Sequence, residues 1–371
     1  MTYGGGSGGS GGSGGGTGYG GADEQELPSY NQAPAGSIRF NTDSAKLEVY
    51  IGGPVGYGTT ATGQWMQVDG WSPDTQTGGT RGVFAVGADN TTYTTTTQFV
   101  QVNTTGDAVD FGDLTGTARG YGAAFSSRTR GVFAGGQNGG TNQNNIDFVT
   151  ISSTGTATAF GNISDVLVRY PTGLSNDTRG ILISGYDGSS SREEMRYVTI
   201  AQTGNTVDFG NLEGGMIGGA CGSSPTRGLI QRANDQVEFI TIHTLGNSAD
   251  FGSCTSVSGA FGLSNSVRTI LAGGFNPSST AVNTIQYLTI ATLGSASDFG
   301  DLTQARRFGA SAASPTRGVF IGGGAHPAGN NTIDYVQIMS LGDAVDFGNC
   351  IDSMQPLGAF GCSNGHGGLG N

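Results

Sequence analysis

The stretch AVDFGDLT, residues 108–115, contains an Asp-Phe-Gly tripeptide that returns along the chain. The tripeptide occurs five times, and its aspartates are Asp110, Asp208, Asp250, Asp298 and Asp346. An altered copy, Ala-Phe-Gly at residues 159–161, fills the one gap in the series. A catalytic motif serves one site and occurs once, whereas a motif that returns with every unit belongs to the repeat. The tripeptide therefore predicts a repeat protein of six units.

The same tripeptide holds magnesium in protein kinases, so a phosphotransferase is the alternative interpretation. A kinase also needs a Val-Ala-Ile-Lys strand and a His-Arg-Asp loop. Neither occurs in this sequence, and Lys46 is its only lysine. The tripeptide is therefore interpreted as structural.

Two further anchors recur in fixed order with the motif phenylalanine. A Thr-Arg-Gly segment or a close variant supplies one arginine per unit: Arg81, Arg130, Arg179, Arg227, Arg268 and Arg317. An aromatic residue follows in a strand such as DFVTI, and it lies 12 residues before the motif phenylalanine in all six copies. The unit returns about every 49 residues, which is typical of four-stranded propeller blades.

Each unit contains four candidate strands, as in GYGAAFS, RGVFAGG, IDFVTIS and ATAFGNI. A Thr-Gly or Leu-Gly pair between the third and fourth strands predicts a tight hairpin turn. The first arginine strand, near Val83, has no inner strand before it, whereas residues 357–364 form a spare strand at the C-terminus. We therefore predict an all-β, six-bladed propeller over residues 73–371, closed by this spare strand, because two further sheet edges would be exposed without the closure.

The repeated arginines and motif aspartates are interpreted as structural anchors that pair within or between blades. A carboxylate paired beside a buried phenylalanine stabilises a scaffold, and its repetition in the blades argues against a single reaction site. Four cysteines are present without a Cys-x-x-Cys spacing. Cys254, Cys350 and Cys362 stand where other units have large apolar residues, so they are predicted to be buried and unpaired.

The double glycine and the strand aromatic resemble kelch-type propeller repeats, with phenylalanine where kelch repeats usually carry tryptophan. Before the propeller, residues 1–35 are rich in glycine and residues 36–72 contain three apolar strand segments. The segment GSIRFNT, residues 36–42, closely resembles a small module of bacteriophage tail fibres. The repeated TRGVFAGG and DFGDLT phrases resemble structural proteins of tailed phages, especially cyanophages. This resemblance implies a virion protein, made in the host cytoplasm, that forms homo-oligomers on the particle.

Residues 1–35 can be a flexible Gly/Ser linker, or they can pack closely against other chains. The second interpretation makes residues 1–72 the attachment to other virion proteins. The net charge of −12 repels phosphate backbones, so nucleic acid is not an expected partner. The sequence contains no apolar run of about 18 residues, and therefore no predicted membrane span, and we see no signal peptide. Catalytic, cofactor and metal motifs are also missing, so a non-enzymatic protein without cofactors is expected.

The loops between the second and third strands vary in sequence and are predicted to share one face of the propeller. Their polar and aromatic side chains suit carbohydrate hydroxyls and the apolar faces of sugar rings. Merely solvated loops are the alternative. The candidate contacts with a host-surface glycan are Tyr93, Asn142, Tyr186, Asp187, Arg192, Phe275, Asn276 and His326. Two functions remain open: a tail fibre, whisker or head decoration of a virion, and a free lectin-like propeller.

Overall fold

The computed structural model describes residues 36–41, 46–51, 64–67, 80–89, 92–164, 168–324, 329–354 and 358–369. The predicted glycine-rich segment, residues 1–35, lies outside these ranges. The chain divides into two compact units, Met1–Trp71 and Ser72–Asn371. Within the described ranges the regular structure is β-strand, apart from one 3-10 turn at Gly367–Leu369. The prediction of an all-β protein is confirmed, and no described helix is long and apolar enough to cross a membrane.

The first unit contains a three-stranded antiparallel sheet of β1 (Ile38–Asn41), β2 (Lys46–Ile51) and β3 (Gln64–Gln67). Strand β2 lies in the centre, with Val49 opposite both Ile38 and Met66. The cross-strand neighbours Arg39 and Glu48 form an ion pair, with Arg39 Nε 2.8 Å from Glu48 Oε2. Such pairs fix the register of a small sheet. The three predicted strands are confirmed.

The second unit is a ring of six antiparallel blades of four strands each, as predicted, and a two-strand hairpin from the blade-one loop extends the sheet of blade six. Blade one holds β4 (Arg81–Ala85), the short hairpin β5 (Ala88–Asp89) and β6 (Thr92–Tyr93), β7 (Thr96–Gln101) and β8 (Val109–Asp113). Blade two holds β9 (Ala123–Ser126), β10 (Arg130–Ala134), the short hairpin β11 (Gln137–Asn138) and β12 (Thr141–Asn142), β13 (Asn145–Thr150) and β14 (Thr158–Asn162).

The next two blades repeat this order. Blade three holds β15 (Thr172–Ser175), β16 (Arg179–Ile183), β17 (Arg192–Thr199) and β18 (Val207–Met216). Blade four holds β19 (Ala220–Ser223), β20 (Arg227–Gln231), β21 (Gln236–Thr241) and β22 (Ala249–Ser253).

The last two blades follow in the same way. Blade five holds β23 (Phe261–Ser264), β24 (Arg268–Ala272), β25 (Thr284–Thr289) and β26 (Ser297–Asp301). Blade six holds β27 (Ala310–Ala313), β28 (Arg317–Ile321), β29 (Asn330–Gln337) and β30 (Val345–Met354). The final strand is β31 (Phe360–Ser363).

Strand β31 completes blade one, as predicted. It pairs with β4 so that Cys362 lies opposite Val83 and Phe360 lies opposite Ala85. Both β31 side chains join the apolar cluster between blades one and two, which also contains Phe111 and Phe133. The end of the chain therefore closes the ring and contributes to its core.

The Asp-Phe-Gly motif joins each blade to the next. Phe111 is buried, and its carbonyl oxygen accepts a 2.7 Å hydrogen bond from the backbone N–H of Gly155 in the hairpin turn of blade two. Gly112 has a φ of +140°, and a Cβ added there would lie 2.5 Å from the Gly155 oxygen. Only glycine allows two backbones to approach this closely. The motif therefore lies at the contact between neighbouring blades, which we call a seam, and this contact is repeated at every junction of the ring.

The anchor arginines cross the same seams. Each guanidinium lies over the strand aromatic of its own blade, with Cζ–centroid distances of 4.3–4.7 Å, and that aromatic packs edge-on against the motif phenylalanine. Each arginine also donates to a backbone carbonyl of the next blade, as from Arg130 to Ile200 and from Arg317 to Val102. The remaining four bonds run from Arg81, Arg179, Arg227 and Arg268 to Ile151, Ile242, Ile290 and Ile338.

The expected pairing of the arginines with the motif aspartates is not what the structure shows. All five aspartates are exposed, and the ion pairs of the described residues involve other carboxylates. Side chains alternate along a strand, so burying the motif phenylalanine turns the preceding aspartate outward. The fourth strand is the edge of each blade, where a charge opposes pairing with other sheets.

The cysteines are free, and Cys221, Cys350 and Cys362 are buried, whereas Cys254 is partly buried. Burial raises the pKa of the Cys221 thiol to about 11 and of the Cys362 thiol to about 12. Two ion pairs inside the blades were not predicted. Arg119 lies 2.8 Å from Asp147, and Arg306 lies 2.7 Å from Asp334, with all four side chains buried.

Candidate functional site

The innermost strands surround an axial channel whose two mouths differ. We call the end with the loops between the second and third strands the loop face, and the end with the Gly155-type hairpin turns the turn face. At the loop face one residue before each inner strand has a positive φ, between +55° and +90°. These six residues, the axial ring, are Tyr121, Tyr170, Gly218, Gly259, Phe308 and Gly358.

Backbone hydrogen bonds connect the axial ring. The N–H of Tyr121 donates to the Gly358 carbonyl. The backbone N–H groups of the next four members each donate to the carbonyl of the axial-ring residue in the preceding blade, and the five bonds measure 2.7–3.2 Å; these members are Tyr170, Gly218, Gly259 and Phe308. A left-handed conformation is uncommon for bulky residues and costs on the order of 1–3 kcal/mol each. These five hydrogen bonds hold three aromatic residues in this conformation at the mouth of the channel.

The three aromatic side chains of the axial ring converge over the axis. The ring centroid of Tyr121 lies 4.3 Å from that of Tyr170 and 5.7 Å from that of Phe308. The glycines make room for them, because a Cβ at Gly259 would lie 2.7 Å from the Phe308 ring and one at Gly358 would lie 2.5 Å from the Tyr121 ring. A cavity of about 110 Å³ is lined by these rings and by the glycine- and alanine-rich inner strands.

Two arginines flank the aromatic cluster. Arg169 lies over the Tyr186 ring at 5.0 Å and donates to Gln137 Oε1 at 2.8 Å. Arg307 lies over the Phe275 ring at 4.7 Å, and Phe275 packs on Phe308 with centroids 5.7 Å apart. Both arginines are half-buried, and the Nε of each has no hydrogen-bond partner within the described part of the chain.

Tyr93 joins the same mouth from blade one. Burial raises the pKa of Tyr93, as does the nearby Tyr170, while a hydrogen bond to Gln137 and the charge of Arg169 act in the opposite direction. Burial raises the pKa of Tyr121 too, and Tyr170 adds to this effect. Both phenols are therefore neutral at physiological pH.

The predicted loop residues fall into two groups. Tyr93, Tyr186 and Phe275 border the axial aromatic cluster. The others support loops: Asn142 donates to the Asp187 carbonyl, Asp187 and Asn276 accept backbone N–H groups of their own turns, and Arg192 pairs with Glu194. His326 lies outside the described residues.

The sequence analysis did not identify the axial aromatics or the two flanking arginines. The axial position holds glycine in three blades and the position before it holds arginine in only two, so no periodic signal marks them. One sequence feature could have identified them: a bulky residue directly before an inner strand of small residues. This feature occurs in Arg-Tyr-Pro at 169–171 and Arg-Phe-Gly at 307–309.

The channel mouth at the turn face is occupied by the C-terminal tail. His366 Nε2 lies 2.9 Å from the carbonyl oxygen of Ser126, and His366 Nδ1 accepts a 3.1 Å bond from the N–H of Gly368. Arg128 donates to the Leu369 carbonyl at 2.7 Å. Burial lowers the pKa of His366 to about 4, and the nearby Arg128 charge acts in the same direction. Because the tail occupies this mouth, the mouth at the loop face is the one available to a ligand.

The loop-face mouth offers stacking surfaces, two cations and neutral hydrogen-bonding groups. No group of three or more His, Cys, Asp or Glu side chains that could hold a metal ion occurs among the residues described. A propeller with such a mouth fits a ligand-binding or protein-interaction role. Comparison with protein-family models and with curated proteins found no match.

Proposed function

We propose that this protein is a non-enzymatic structural component of a bacteriophage virion, whose propeller binds a host-surface saccharide at the loop-face mouth. The observation that carries the binding role is the convergence of Tyr121, Tyr170 and Phe308 over the axis. Sugar rings present an apolar face that stacks on aromatic side chains, and their hydroxyls need nearby donors and acceptors. Tyr93 and Gln137 supply such groups beside the cluster.

The binding role is proposed without catalysis. Acid–base chemistry needs a carboxylate, histidine or similar group within reach of the reacting atoms. The described side chains at this mouth include aromatic rings, two guanidinium groups and an amide, and hydroxyl and thiol groups lie deeper in the cavity. This set is suited to recognising a ligand and holding it.

The virion role rests on the sequence of the first 72 residues. The glycine-rich segment and the fibre-like GSIRFNT module are suited to packing against other chains, whereas the propeller closes on itself through β31. The outer edge strands of the blades carry the exposed motif aspartates, and charges on an edge strand oppose pairing with another chain. Residues 1–72 therefore attach the protein to other virion proteins, and homo-oligomers on the particle multiply weak saccharide contacts.

The test uses particles made without this protein. Residues 1–72 fused to an unrelated soluble domain should join such particles, whereas residues 73–371 alone should not. Joined particles carrying the full chain should bind host-surface polysaccharide, and particles carrying the fusion should not. Assembly of residues 73–371 alone onto particles would contradict the division of roles. Equal polysaccharide binding by both kinds of particle would contradict the binding role. A free lectin-like propeller is the alternative, and it predicts saccharide binding with no particle association.

A further inference from the structure

The loop-face mouth carries two cations on opposite sides of the axis. Arg169 precedes the inner strand of blade three and Arg307 precedes that of blade six, and these blades face each other in a six-bladed ring. Both guanidinium groups lie against aromatic rings of the mouth. The Tyr170 and Phe308 rings lie between them, with centroids 6.0 Å apart.

These two arginines lack carboxylate partners in the part of the chain that the structure describes. Four other arginines of the propeller each have one within 2.8 Å: Arg119 with Asp147, Arg192 with Glu194, Arg232 with Glu238 and Arg306 with Asp334. A half-buried guanidinium beside aromatic rings loses hydration, and an anion with matching geometry offsets that loss. The mouth is therefore locally cationic in a protein of net charge −12.

We infer that the loop-face mouth selects saccharides that carry a carboxylate, such as uronate or sialate residues. The sugar ring stacks on the Tyr170–Phe308 surface, and Arg169 or Arg307 binds the carboxylate. An inorganic anion alone would not contact the stacking surface, and a neutral sugar would leave both guanidinium groups without an anionic partner. This inference rests on the proposed saccharide-binding function and specifies its ligand class.

The experiment compares acids with their own methyl esters. The full chain is applied to an array of uronate- and sialate-bearing oligosaccharides printed beside the matching methyl esters, and the strongest acid–ester pair is then titrated by calorimetry. We expect the acid to bind at least tenfold more tightly than its ester. This comparison uses the unaltered protein, so it does not depend on whether any variant folds.

Two variants then identify the cations. Arg169→Gln and Arg307→Gln should each weaken binding of the acid at least fivefold while leaving binding of the ester unchanged. Arg128→Gln is the matched control, because it removes the same charge at the turn face, where Arg128 donates to the Leu369 carbonyl, away from the loop-face mouth. Equal affinity for acid and ester would overturn the carboxylate selectivity and leave the saccharide role intact. Absence of binding to every acid and ester would overturn both.

Discussion

The backbone N–H of Gly106 in blade one donates a 2.9 Å hydrogen bond to the carbonyl oxygen of Phe347 in blade six. The same bond joins Gly155 to Phe111, and it recurs at each of the other four junctions between neighbouring blades. The seam between the first and last blades is therefore equivalent to the seams between blades that are continuous in sequence. The Asp-Phe-Gly motif recurs because each seam needs a buried phenylalanine followed by a glycine.

Two glycines in one seam allow a controlled test of this close approach. Gly300 and Gly342 both have a φ near +150°, but a Cβ at Gly300 would lie 2.4 Å from the Gly342 oxygen, whereas one at Gly342 meets nothing within 4 Å. Alanine at either position strains the backbone by about 1–3 kcal/mol. Gly300→Ala should cost about 1–3 kcal/mol more, because the two blades must separate. Urea unfolding of both variants measures the difference, and equal losses would contradict the seam.

Ring closure is tested by two truncations. A chain ending at residue 357 loses β31, including the buried Phe360 and Cys362. We expect it to lose at least about 5 kcal/mol, since removing a buried phenylalanine side chain alone typically costs 3–5 kcal/mol. A chain ending at residue 365 keeps the strand and loses only the tail, so it should remain folded. Thermal unfolding compares the two, and similar melting temperatures would show that β31 does not close the ring.

The anchor arginines should contribute through hydrogen bonds to neutral carbonyls. Arg130→Ala removes bonds to Ile200 and Ala201 and uncovers the Phe148 ring. No buried carboxylate is left unpaired, so we expect a loss of about 1–3 kcal/mol in the free energy of unfolding. Arg192→Ala, which removes a solvent-accessible ion pair with Glu194 at the start of β17, should change stability much less. If both substitutions had the same small effect, the arginine would not hold neighbouring blades together.

The free energy of unfolding should decrease as the pH falls through the interval between the pKa of His366 in the unfolded chain and its pKa in the folded protein. The pKa of His366 is lowered from 6.5 to about 4 in the folded protein, so the unfolded chain binds the proton first. The stability is complete above about pH 6.5 and decreases towards pH 4 by up to about 3 kcal/mol. Protonation also removes the Nδ1 acceptor of the Gly368 N–H. Urea unfolding at pH 7 and pH 4.5 measures this loss, and His366→Asn should show a smaller difference between the two pH values than the wild type. An equal difference in both proteins would show that His366 is not its cause.

Much of the propeller could be predicted because its contacts repeat with a fixed spacing. The 12-residue interval from Phe99 to Phe111 reflects one hairpin register, and the spare C-terminal strand implied the pairing with Val83. The partner of Arg130 could be predicted only as a motif aspartate or a backbone carbonyl; the carbonyl alternative is correct, but its residue was not predictable because Ile200 lies 70 residues away in the next blade. The axial cluster was missed for the opposite reason: Tyr170 and Phe308 differ from the glycines at the same position in other blades.

A substitution in the axial ring tests saccharide binding at the loop-face mouth most directly. Phe308→Gly removes one stacking surface and places at that position the residue that three other blades already have. Relief of backbone strain offsets the lost packing of this half-buried ring, so stability should stay within about 1 kcal/mol. Calorimetric titration of the wild type and Phe308→Gly with host-surface polysaccharide should show binding by the wild type and at least tenfold weaker binding by the variant. Equal binding by the two folded proteins would contradict a saccharide site at the axial mouth.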